Sequence, residues 1–431
     1  MGWGARVLDA PGAPTLTHQL APSRADSLPA VPAARLSLPA AGGLPFLATA
    51  LVGRIPSSMI QLGLLMFVAS SGLGVGLGGA TVAAVGIGTA VGAPLVGRSV
   101  DRWGPLPVVA VATAVQVAGL LAVLAVTALD AGTWALVACA ALVGAANPQV
   151  GSIARSRWSH LARRSASPDL VRRALGYEVA ADEVGFIVGP VAAGLLVAVL
   201  GPVPALWTLV ALAVLGQGAF AAHLWTNRAT WPRRTARDAG VEHPVARLHL
   251  RPLVAPMLAC LAVGAAFGST QTGLTAVNGA RGTEELTGLV YACAGVGSAI
   301  ASLAISRVVR RGSIAVRVVA GGVAVLAGAL GLATLPGAWG AATYALVLGV
   351  GAGTLLVSSY ARAEQVAPPR LVASTMALMA TALVLGVSAG AAGSGALAGS
   401  LPHAFWPAAA AGVLGVCAGV GLRTGRRPVN G

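Results

Sequence analysis

Residues 97–104 read Gly97-Arg98-Ser99-Val100-Asp101-Arg102-Trp103-Gly104, a charged stretch between two long runs of Gly, Ala, Val and Leu. Two guanidiniums and a carboxylate in so short a space need water, and the flanking runs need lipid or protein interior. The pattern predicts a hairpin standing in water between two helices that each cross a bilayer. Gly97 and Gly104 frame it, allowing a tight turn and close approach of the two helices.

The composition demands the same setting. The chain has 431 residues, 56% hydrophobic and only 10% charged, with a mean hydropathy of +0.81; soluble domains carry about a quarter charged residues. Hydrophobic segments long enough for about 30 Å at about 1.5 Å per residue fall near 44–69, 75–96, 106–128, 133–153, 177–200, 204–226, 253–278, 286–306, 314–335, 338–359, 371–397 and 403–422. The fold expected is an all-α polytopic membrane protein with twelve transmembrane helices in two six-helix bundles. The divisions expected are a disordered cytoplasmic N-terminal segment (1–42), an N-terminal bundle (43–226), a Pro-containing, Arg-rich cytoplasmic linker (227–252), a C-terminal bundle (253–422) and a cytoplasmic tail (423–431).

The net charge of +15 comes without a single Lys, so all 28 basic residues are Arg. In this topology, Arg281 alone falls on one side and Arg54 inside the first span, while the other 26 fall on the opposite side, among them Arg98, Arg102, Arg155, Arg157, Arg163, Arg164, Arg172 and Arg173. The positive-inside rule then places both termini and the linker in the cytoplasm. The basic balance is thereby explained by an anionic leaflet surface, and no nucleic-acid partner is needed. Trp134, Trp207, Trp339 and Trp406 fall near outer span ends and Trp103 and Trp225 near inner ones, as an aromatic belt requires.

The four Cys (139, 260, 293, 417) lie in apolar runs without CxxC spacing and read as small buried hydrophobes. The six His fall at span ends or in loops and form no metal-ligand cluster. Without a phosphate loop or dinucleotide fingerprint, the sequence predicts no cofactor and no metal, with energy drawn from an ion or substrate gradient.

The spacing G-x-x-x-D-R-x-G at Gly97, Asp101, Arg102 and Gly104 resembles the loop between helices two and three of major facilitator superfamily transporters. Pro105 and Leu106 stand where that family usually has two basic residues. A degenerate counterpart, Ser306 to Gly312, follows the eighth span without the carboxylate. The resemblance implies a substrate cavity between the two halves, with Asp101 locking the cytoplasmic side against helix ends of the neighbouring half. Further on, Gly185, Gly189, Pro190 and Gly194 resemble the fifth-helix motif of the superfamily's drug–proton antiporters, with Ala193 replacing one glycine. Physically, glycines four apart make a flat face, and Pro190 removes a ladder bond so that the helix flexes.

Ionisable groups inside a span are expensive and mark function by default. Arg54 lies about ten residues into the first span and is followed by Pro56; Asp182 and Glu183 lie in the first turns of the fifth, with Glu178 nearer the water. Helices one and five pack together in the family, so the resemblance implies that Arg54 reaches Asp182 or Glu183. Two readings stand: a pair that a carboxylate leaves on protonation, coupling proton movement to rearrangement, or a static pair that fixes packing. The fourth span lacks the Arg many proton-coupled members carry and offers Asn147-Pro148-Gln149 instead. Asn147 and Gln149, with Thr270 and Gln271 of the seventh span, are the candidate cavity residues; hydroxyls in such helices also bond back to their own backbone.

The resemblance implies a monomeric secondary transporter exporting a small organic compound in exchange for protons, and the Arg-only, Ala- and Gly-heavy usage points to the inner membrane of a bacterium. A facilitator or importer of a metabolite is the alternative within that class. A membrane-embedded lipid-modifying enzyme is the alternative outside it, requiring a catalytic cluster at one membrane face.

Overall fold

Long runs of Gly, Ala, Val and Leu have one way to satisfy their backbone groups in hydrocarbon, the intrasegment hydrogen bonds of a helix. The computed structural model describes Met1 and residues 38–165, 168–228, 250–308, 313–367 and 372–424, and among these no strand occurs. After a helical turn at Leu38–Gly42, the spans are α1 (Leu44–Val68), α2 (Gly74–Trp103), α3 (Pro105–Ala128) and α4, which runs as Thr133–Ala145 and resumes as Val150–Ser165. Then come α5 (Pro168–Leu200) and α6, which runs Pro202–Leu212, through a π-helical turn at Ala213–Gln217, to Gly218–Thr226. The second set is α7 (Val254–Arg281), α8 (Glu285–Val308), α9 (Ile314–Ala333), α10 (Ala338–Val366), α11 (Val372–Leu397) and, after a 3₁₀ turn at Leu401–Phe405, α12 (Trp406–Thr424). Most of the expected lead, linker and tail lies outside the described residues.

Ten described helical stretches are long and apolar enough to cross a membrane, and the first, Leu44–Trp103, is 60 residues long. It folds back on itself at Gly72 (φ 81°) and Gly74 (φ 84°), left-handed conformations open to glycine. A Cβ on Gly78 would lie 2.8 Å from the Leu65 side chain, although thirteen residues of straight helix would separate them by about 20 Å. That stretch is therefore the hairpin α1–α2. With α5, whose apolar part is Val188–Leu200, the spans number twelve among the described residues.

Of the four apolar clusters among the described residues, the two largest fill the two sets of helices. Met59, Leu62, Leu65, Val82, Leu120, Val143 and Leu209 join α1 to α6, and Val263, Val318, Leu348, Leu355 and Phe405 join α7–α10 with the approach to α12. Leu and Val on the opposite helix faces are exposed, as are the six belt tryptophans, from Trp207 at 53% to Trp339 at 89%.

Two local expectations are corrected. Residues 97–103 are the last turns of α2 rather than a loop, because nothing there disfavours a helix; Gly104 alone, at φ 85°, makes the turn. The fourth span breaks at Ala146–Gln149 and continues as helix to Ser165, so Arg155 and Arg157 stand on a helix instead of in a connection. Asn147 Oδ1 accepts the Gln149 N–H (3.2 Å) and so caps the restart, with Gln149 itself at φ 55°.

Close approaches between the two sets of helices cluster at one end. A Cβ on Gly79 would lie 2.5 Å from the Ala391 carbonyl oxygen, and one on Gly194 2.8 Å from the Gly288 Cα. Gly76 meets Gly395 and Gly86 meets Ser388 in the same way. At the opposite, arginine-rich end Gly97 has nothing within 4 Å of where its side chain would begin. Among the described residues the glycine contacts between the halves fall at the arginine-poor end, and Gly97 at the other end makes none.

Candidate functional site: a charge cluster between three helices

The small-residue face of α5 sets the site. Gly189 leaves room for α1: a Cβ there would lie 2.8 Å from the Ser58 backbone carbonyl carbon, and Gly185 lies beside the same serine. Positions 178, 182, 185 and 189 follow the four-three-four spacing of one helical face, so contact at Ser58 brings Arg54, one turn earlier on α1, against Glu178 and Asp182.

Arg54 is 8% exposed and Glu178 0%, and they form an ion pair through Nη2 and Oε2. Nη1 also reaches Asp182 Oδ1 at 3.3 Å and the Glu178 backbone oxygen at 3.4 Å. From the second part of α4, Arg155 Nη1 takes Asp182 Oδ2 at 2.7 Å, and the Trp158 indole N–H donates to Glu178 Oε1 at 2.7 Å. Two arginines and two carboxylates thus form a quartet, deep at Arg54–Glu178 and half-exposed at Asp182 (35%) and Arg155 (39%). Burying the deep pair is tolerable only because each charge has a close partner and further hydrogen bonds. Gly42, in the helical turn before α1, lies flat on the Trp158 indole, since a Cβ there would be 2.4 Å from Cη2.

Of the two partners expected for Arg54, Asp182 is brought to it. The Glu183 position falls off the face shared by 178, 182, 185 and 189, and its side chain lies outside the described residues. Glu178 is the correction: expected near water, it is fully buried, because the α1–α5 contact and Trp158 cover it. Its spacing of four from Asp182 is the signal that could have found it. Arg155 and Trp158 were legible only once α4 was extended past Pro148.

Asp101 and Arg102 stand exposed at the end of α2. Asp101 makes no hydrogen bond or ion pair among the described residues, so the lock expected of it is not engaged in this conformation; Arg102 stacks on the neighbouring Trp103 at 5.6 Å. Gly185, Gly189 and Pro190 are buried, and these small residues serve two neighbours: Gly185 and Gly189 face α1, whereas Gly194 meets Gly288 of α8. Asn147 Oδ1, besides capping α4, accepts from Ser57 Oγ at 3.2 Å, beside the quartet. Gln149 is half-buried. Thr270 and Gln271 lie buried on α7, with Thr270 Oγ1 and Gln271 Nε2 lacking partners, as do Thr272 Oγ1 on α7 and Ser358 and Ser359 Oγ on α10. No hydrogen bond joins the α7 residues to Asn147 or Gln149. Among the described residues no group of three or more His, Cys, Asp or Glu is placed to hold a metal.

The family model described as Major Facilitator Superfamily matches residues 46–391. No curated protein matches the sequence significantly. Solved structures share the fold at low identity. The nucleoside transporter NupG superposes with a TM-score of 0.64 at 16% identity, covering 89% of this chain and 100% of its own. A bacterial homologue of the iron transporter ferroportin in an inward-facing state gives 0.66 at 16%, with 89% and 99% covered. An auto-inhibited peptide transporter of the POT family gives 0.63 at 15%, with 90% and 98% covered. Family and neighbours alike are transporters, which sets aside the reading as a lipid-modifying enzyme. With a match across most of its length and a twelve-helix fold to go with it, the chain belongs to the Major Facilitator Superfamily of membrane transporters.

Proposed function

We propose that the protein is a proton-coupled secondary transporter that exports a small organic compound by alternating access, residing as a monomer in the inner membrane with both termini cytoplasmic. The observation that carries this reading is the quartet. Its half-exposed member, Asp182, bridges two arginines, so protonation of Asp182 would remove its ion pairs with Arg155 and Arg54 and leave Arg54 to Glu178. That is a local charge change acting on the packing of α1, α4 and α5, the kind of differential contact a conformational switch requires.

Further support comes from the unpaired polar atoms of α7 and α10. Each buried, unsatisfied group costs about 1–3 kcal/mol, and a substrate or the other conformation of the cycle would supply their partners. The arginine asymmetry supports a cytoplasmic placement of the arginine-rich end, and the helix-five glycines favour the outward direction. In this reading residues 43–226 and 253–422 are the two rocking units, 227–252 the linker between them, and 1–42 and 423–431 cytoplasmic ends.

The test compares small-molecule profiles of cytosol and medium from cells lacking the gene, wild-type cells and cells carrying Asp182→Asn. Export predicts one compound retained inside the first and third strains, with its efflux from wild-type cells abolished by a protonophore. Unused external nutrient in the deletion strain, with no compound retained, would refute export. Efflux of that compound by Asp182→Asn at the wild-type rate and with unchanged protonophore sensitivity would remove the quartet from the coupling.

A further inference from the structure

At the end opposite the arginines, a cavity of about 310 Å³ lies within the second set of helices. Leu274 of α7, Leu286 and Val290 of α8, Leu332 of α9 and the Phe405 ring make its walls apolar. Phe405 rests where Gly273 has no side chain, since a Cβ there would lie 2.7 Å from the ring. The cavity is separate from the interface between the halves. Leu286 and Val290 line it, whereas Gly288, two residues from each and so on the other side of α8, meets Gly194 of α5.

Three polar residues, Asn278, Arg281 and Thr283, line this apolar space, and the first two are not fully used. Asn278 is 7% exposed; its Nδ2 donates to Thr287 Oγ1 at 3.1 Å, and its Oδ1 has no partner among the described residues. Arg281, one turn later at the exposed rim, donates from Nη1 to the Pro336 oxygen (2.8 Å) and from Nη2 to the Leu335 oxygen (2.7 Å). Those carbonyls hold the guanidinium in place but do not neutralise it. Glu284 and Glu285 follow within four residues, yet neither forms an ion pair with it among the described residues. Three of its five N–H donors remain.

The geometry points to a binding site for a short amphiphile, a 3-hydroxy carboxylate with a hydrocarbon tail. The carboxylate takes Arg281, the hydroxyl two carbons along donates to Asn278 Oδ1, and the tail lies against Leu274, Leu332 and Phe405. Asn278 and Arg281, three residues apart, lie on one face of α7 and both line the cavity, so one ligand can meet both. At about 30 Å³ for each water-sized group, the cavity holds about ten non-hydrogen atoms, close to a chain of eight carbons.

The test is equilibrium dialysis of radiolabelled 3-hydroxyoctanoate against the full-length protein in lipid nanodiscs, with empty nanodiscs as the blank. We expect one saturable site per chain, at least a tenfold loss of affinity in Arg281→Gln, and severalfold weaker binding of octanoate, which lacks the donor. Ala341→Phe fills the cavity and should abolish binding. Ala338→Phe, at an exposed position on the rim, should do the same with less risk to folding. Uptake no greater than that of empty nanodiscs, or binding that survives Ala338→Phe in folded protein, overturns the site. Affinity unchanged by Arg281→Gln overturns the head-group assignment, and equal binding of octanoate overturns the role of Asn278.

Discussion

Consider Glu178→Gln. The substitution keeps an oxygen for the Trp158 indole but removes the charge that faces Arg54, a side chain 8% exposed. Breaking a buried ion pair from one side costs about 3–5 kcal/mol. Asp182, at 3.3 Å from Nη1, still offsets part of the stranded charge, so the loss should fall near 3 kcal/mol. Arg54→Gln strands Glu178 with only the indole and should lose closer to 5 kcal/mol. The double variant Arg54→Gln/Glu178→Gln removes both buried charges together and keeps the Arg155–Asp182 ion pair. It should lose less than either single change, a coupling of several kcal/mol. The assay is denaturant unfolding of purified protein in mixed micelles, followed by tryptophan fluorescence for all four members of the cycle. Single losses below about 1 kcal/mol, or additivity within about 0.5 kcal/mol, would refute the argument that a desolvated, mutually dependent pair joins α1 to α5.

Trp158→Phe keeps the ring beneath Gly42 but removes the donor to Glu178, and should cost about 1–3 kcal/mol in the same unfolding assay. Gly189→Ala places a methyl 2.8 Å from the Ser58 backbone; forcing α1 from α5 should cost about 1–3 kcal/mol, whereas Gly97→Ala, with nothing within 4 Å, should stay within about 1 kcal/mol, the helix-propensity difference. Gly79→Leu would drive a side chain into the Ala391 carbonyl and should prise the halves apart at the arginine-poor end, read as faster maleimide labelling of a cysteine introduced at Ser388. Asp101→Asn, at an exposed and unpaired position, should unfold within about 0.5 kcal/mol of wild type yet slow export of the identified compound; an unchanged rate would sink its gating role.

The sequence by itself determined the membrane, the helices and their number. Hydrocarbon admits few backbone solutions, and runs of Gly, Ala, Val and Leu long enough to span it declare themselves without any knowledge of packing. It also exposed Arg54 and Asp182, because a charge inside an apolar run stands out wherever its partner lies. Tertiary structure alone decided that Glu178 is the deep partner. Ten residues into α5, a carboxylate reads as near water until α1, packed through Gly185 and Gly189, and Trp158 of α4 cover it. The same holds for Arg155: a helix that breaks at Asn147 and restarts could not be told from a helix that ends, because the cap that restarts it depends on one side chain bonding its own backbone. The joining of the halves at the arginine-poor end and the cavity behind Phe405 belong wholly to the fold. Both depend on which glycine faces of distant segments meet, and that pairing leaves no mark in local sequence.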